Sequence, residues 1–128
     1  MLYEIVTQRS PQQAGEALEA AAQKHKFGVL SIHNLKETMA KKGVDFNKEC
    51  LIYEVCNPFQ AKKVLEANPS ISTALPCRIA IFSEGTQTKI STIQPTAMLA
   101  LYNNPELQPV AQEVEEVIVA MMREAAGQ

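Results

Sequence analysis

Long hydrophobic runs are missing from this 128-residue chain. Its longer apolar stretches, such as Val117 to Met122, are a few residues against the roughly 20 a membrane-spanning helix needs. The start, Met1-Leu2-Tyr3-Glu4-Ile5, lacks the basic opening and apolar core of a signal peptide, so export is not expected. A charge excess is missing too. Twelve basic against fourteen acidic residues give −2, which leaves nothing to neutralise a phosphate backbone and excludes a generic nucleic-acid binder. Cysteine is scarce: three residues, none in C-x-x-C spacing, which excludes a disulfide scaffold and weakens a structural zinc site. Without an export signal these read as free thiols in a reducing, cytoplasmic compartment. No P-loop, G-x-G-x-x-G, H-E-x-x-H, G-x-S-x-G, internal repeat or low-complexity run is present.

What remains is an ordinary globular composition, 46% apolar and 20% charged, expected to form one domain over residues 1–128. Leu2 to Val6 alternates as a strand. Ser10, Pro11 and Gln13 supply the N-cap, first turn and reciprocal cap of a helix, on which Ala14, Ala17, Leu18, Ala21 and Ala22 form a narrow face able to approach a sheet closely. Gly28 reads as its stop, and Val29 to His33 as the second strand. Asn34 with Glu37 caps a short helix ending at Gly43, and Cys50 to Cys56 is the third strand. Asn57, Pro58 and Gln60 open another helix, ended by Pro69. Cys77 to Ser83 and Thr86 to Ile93 read as a hairpin, a helical turn follows around Met98 to Tyr102, and Leu107 to Met121 carries the strongest helical period.

The order β-α-β-α-β-α-β-β-α predicts an α+β two-layer sandwich with helices on one face of a mixed sheet. Alternation assigns Glu4, Ser31, His33, Glu54, Cys56, Arg78 and Phe82 to the uncovered face, half apolar and half polar, a composition that suits a partner or a ligand.

A strand, a reactive residue and an Asn N-cap recur in order at His33-Asn34 and at Cys56-Asn57-Pro58. A right-handed crossover between the second and third strands makes them parallel and brings His33 and Cys56 to one sheet edge, each before a helix N-terminus. There the helix N–H groups favour an anion or a thiolate of lowered pKa. Glu54, two residues from Cys56 on the same face, is a further ligand or base. The fourth strand is expected antiparallel to the third, bringing Cys77 up beside Cys56, although Cys77 shares the parity of the core residues Ile79 and Ile81. The expected ligand-binding set is Cys56, Asn57, Cys77, Arg78 and Glu54. The candidates for catalysis are Cys56 and Cys77, and for a soft metal such as zinc Cys56, Cys77, His33 and Glu54.

At Ile52-Tyr53-Glu54-Val55-Cys56-Asn57-Pro58 and Leu75-Pro76-Cys77-Arg78 the chain resembles the domain of unknown function 302 family. Phe27-Gly28-Val29-Leu30 and the hairpin from Arg78 to Ile93 add to it. The resemblance implies a small bacterial or archaeal α+β domain, commonly a homodimer, with no agreed activity. It marks Cys56, Asn57, Pro58, Pro76 and Cys77 as motif positions and leaves Cys50 and His33 outside. Three readings follow: a binding module for a small molecule or metal ion at a thiol site, a redox or sulfur-transfer enzyme with Cys56 as nucleophile and Cys77 as resolving thiol, and a structural homodimer joined through the uncovered face.

Overall fold

The computed structural model describes residues 1–128. Five strands, β1 (Leu2–Thr7), β2 (Gly28–Asn34), β3 (Cys50–Cys56), β4 (Cys77–Glu84) and β5 (Gln87–Ile93), form one sheet in the order β1-β5-β4-β3-β2. The helices are α1 (Pro11–Lys24), α2 (Leu35–Lys41), α3 (Pro58–Ala67), α4 (Pro95–Ala100) and α5 (Gln108–Ala126), with 3₁₀ turns at Pro69–Ala74 and Pro105–Leu107. None is long and apolar enough to cross a membrane.

Helices α1 and α5 cover one face of the sheet. Leu18, Ile79, Ile81, Ile90, Ile118, Met121 and Met122 are fully buried between the layers. Each such side chain contributes about 1.5–3 kcal/mol relative to exposure. The small-residue face of α1 makes the approach close, and Gly15 is essential to it: a Cβ there would run into the Tyr53 hydroxyl of β3. The predicted capping box holds, with Ser10 Oγ accepting from Gln13 N at 3.1 Å and Gln13 Oε1 accepting from Ser10 N at 3.0 Å. The helix ends before Gly28. Lys26 takes the left-handed position at φ 65°, and Phe27 N donates back to Ala22 O at 2.8 Å. Burial of Phe27 offsets the roughly 1–2 kcal/mol of a left-handed lysine. Gly28 instead begins β2.

A two-layer α+β fold with helices on one face stands as predicted, but every strand pair is antiparallel, β2–β3 included. The crossover expected there fails for a physical reason. No residue of α2 is buried, so the helix has no apolar face to lay across the sheet, and the chain turns back beside β2. A bulge between Val29 and Ser31 puts the two on opposite faces: Val29 joins the helix side opposite Val55, while Ser31 and His33 lie opposite Glu54 and Ile52 on the open side. A second, smaller core of Val64, Ile71, Leu99, Leu107 and Ala111 lies beyond the ends of β3 and β4.

Candidate functional site

The end of β3, the start of β4 and helices α3, α4 and α5 enclose a cavity of about 50 Å³. It is several times the roughly 10–15 Å³ that admits one water. Phe27, Val55 and Val114 line it from the main core, and Val64, Leu99 and Leu75 from the smaller one. Cys56, Asn57, Gln60, Cys77 and Met98 add the only groups that are not aliphatic or aromatic carbon.

The β3–β4 register sets Val55 opposite Cys77, so the two thiols sit on neighbouring strands, one residue out of direct opposition. Both cysteines line the cavity, Cys77 from the helix side beside Val55 and Cys56 one residue further along β3, and neither is a thiolate. Burial pushes the Cys56 thiol above its ordinary value. Burial, and then the neighbouring Cys56, push Cys77 up to about 11. Both are protonated at neutral pH, and Cys50, at the far end of β3, is raised by burial as well.

The helix start that was to lower Cys56 is already satisfied. Asn57 Oδ1 accepts from Phe59 N at 3.0 Å and from Gln60 N at 3.1 Å, and Ala61 N donates to Asn57 O at 3.0 Å. Pro58 has no N–H. No donor of the first turn remains for an anion, and Asn57 Nδ2 is engaged by Lys26 O at 3.3 Å. Asn57 is therefore the cap of α3, and it also lines the cavity.

His33 and Glu54 are elsewhere. Gly28, not His33, lies opposite Cys56, while His33 lies opposite Ile52, about 13 Å along the sheet. On the open face Glu54 lies between His33 and Arg78, with His33 Nε2 at 3.1 Å from Oε1 and Arg78 Nε donating to Oε2 at 3.3 Å. The His33 hydrogen bond, helped by Arg78, holds Glu54 below the usual carboxylate range. The four residues proposed for a metal thus divide into two pairs, and no three His, Cys, Asp or Glu side chains converge.

Gln60 was read only as part of a helix cap. Its Oε1 is buried and has no hydrogen-bond partner. The sequence held one signal. Gln60, Ala61 and Val64 share a helix face by their spacing, which sets an amide on the inward stripe. A second hollow of about 300 Å³ adjoins the cavity, sharing Ala74, Leu75, Cys77, Pro95 and Met98 with it and adding Arg78, Thr73 and Tyr102.

A family model described as domain of unknown function DUF302 matches residues 3–125. The crystal structure of an uncharacterized conserved DUF302 protein from Bacillus stearothermophilus is similar, with a TM-score of 0.92 and 31% identity over 97% of each chain. No curated protein matches.

Proposed function

The chain belongs to the DUF302 family, and on that premise we propose that it is a binding module for a small, largely apolar molecule carrying one hydrogen-bond donor. The observation that carries this reading is the unpartnered Gln60 Oε1 in an otherwise apolar cavity. A buried acceptor left unsatisfied costs about 1–3 kcal/mol, and a ligand N–H or O–H offsets that cost. The two segments that carry the family resemblance, around Cys56 and Cys77, both line this cavity. Their thiols act there as small, polarizable wall groups, because burial keeps them neutral. A soft metal ion is less favoured, since no third His, Cys, Asp or Glu joins the pair. A thiol enzyme is less favoured for the same reason that the thiols are neutral.

Amide chemical shifts on titration with hexanol test the proposal. Saturable shifts at Gln60, Val64 and Leu99, continuing through the shared wall at Leu75 and Met98 because the chain is longer than the 50 Å³ cavity holds, and weakened several-fold in Gln60→Met, are expected. Shifts that do not saturate, or that ignore Gln60→Met, overturn it.

A second reading, compatible with the first, is a homodimer through the open face. Leu2, Val6 and Ile93 are exposed there beside the half-buried Ile52 and Phe82, and no helix covers them. Light scattering on Val6→Asp tests it: a dimer that becomes a monomer supports the reading, and a wild-type monomer removes it.

A further inference from the structure

We propose that the ligand is an amphiphile whose far end is an anion, a carboxylate or a group of similar charge, lying in the outer hollow against Arg78. This rests on the reading of the inner cavity given above and extends it. Arg78 is the one charged residue lining either space, and no acidic side chain lines them. Its guanidinium is exposed and gives only Nε to Glu54, so both terminal nitrogens carry N–H groups without a partner in the protein. The remaining hydroxyl protons of the hollow are committed. Thr73 Oγ1 donates to Ser70 O at 2.8 Å and lies 2.6 Å from the Tyr102 hydroxyl, which must therefore supply the proton of that contact. Thr92 Oγ1 donates to Arg78 O at 2.7 Å.

The only free side-chain donors in the outer hollow are thus the terminal nitrogens of a cation, whose planar fork matches two carboxylate oxygens. In the inner cavity the one buried side-chain oxygen or nitrogen without a partner is an acceptor, Gln60 Oε1. The two spaces share a wall of Ala74, Leu75, Pro95 and Met98 with Cys77, all apolar or weakly polar. Between a donor-seeking inner end and an acceptor-seeking outer end lies an apolar passage. The molecule that complements all three has a hydroxyl or N–H, a short hydrocarbon body and an anionic head.

Calorimetric titration with ω-hydroxyhexanoate and with hexanol tests this, because the two share the donor and the body and differ in the head. Wild-type protein should bind the hydroxy acid about tenfold more tightly than hexanol, a margin that shrinks with added salt. Arg78→Gln should bring the hydroxy acid down to the hexanol level, and Arg78→Lys should keep part of the margin. Equal binding of both probes by the wild type, or a margin that survives Arg78→Gln, overturns the anionic head while leaving the inner cavity as a site. Failure of hexanol to bind at all refutes the cavity reading itself, and this inference with it. Unchanged thermal midpoints of the Arg78 variants exclude misfolding as the cause.

Discussion

Replacing Gln60 by methionine should make the free protein more stable and a worse binder. Methionine keeps the unbranched length of glutamine and has a similar helix propensity, so the change removes a carboxamide and little else. The contribution of Gln60 to the helix cap comes through its backbone N–H to Asn57 and survives. What disappears is the buried Oε1 without a partner, whose desolvation costs about 1–3 kcal/mol. Because the side chain as a whole is only half-buried, the lower end applies. A gain of about 1 kcal/mol corresponds to a rise of roughly 4 °C in a domain of this size. Differential scanning calorimetry of the two proteins without ligand reads the gain, and hexanol titration of the same samples reads the loss. Opposite signs in the two assays are the signature of a residue kept for binding at the expense of stability. A midpoint that falls or stays put, with hexanol affinity unchanged, refutes the reasoning.

Asn57→Ala should destabilise by about 1–2 kcal/mol in urea titration, because two amides of α3 lose their acceptor together; Asn57→Asp should recover most of it. Alkaline stability should follow Cys77. Its folded value of about 11 lies above its ordinary 9.0, so the unfolded chain loses the proton first. Stability is therefore intact below pH 9 and falls as pH rises toward 11, by roughly 3 kcal/mol at most, and Cys77→Ala should flatten that part of a urea midpoint-versus-pH curve. Gly15→Ala gains about 1 kcal/mol of helix propensity but drives a methyl into the Tyr53 hydroxyl, so a net loss of about 1–3 kcal/mol is expected in thermal melts. Pairing it with Tyr53→Phe should restore part.

Signals that act within a few residues were legible in the sequence. Ser10, Asn34 and Asn57 cap the helices they were assigned because a cap needs only its own first turn. The antiparallel run of β4 against β3, which sets Cys77 opposite Val55, was legible from chain length, and the parity of Cys77 with the core residues Ile79 and Ile81 was legible from alternation. The direction of β3 relative to β2 was not, since a crossover needs a helix that buries a face on the sheet and α2 buries none. Nor was the face of Val29, which one inserted residue at the bulge reverses. The Asn57 oxygen that caps Phe59 and Gln60 also closes the helix start to an anion, a consequence of the same local signal. Gln60 escaped because its isolation depends on α4 and α5, which arrive much later in the chain.

The sheet order carries a cost in time. Residues 2–7 pair with residues 88–93, whereas β2 to β5 form a meander in which each strand neighbours the next in the chain. On the ribosome β1 emerges long before its only partner, with Leu2, Ile5 and Val6 unshielded, while the meander can assemble as it is made. Docking of β1 then completes the sheet last. It is also what ties down the tail of α5, through Thr7 Oγ1 to Ala126 O at 2.9 Å. A chain that ends before residue 88 thus leaves the apolar side chains of β1 without the strand that pairs with them.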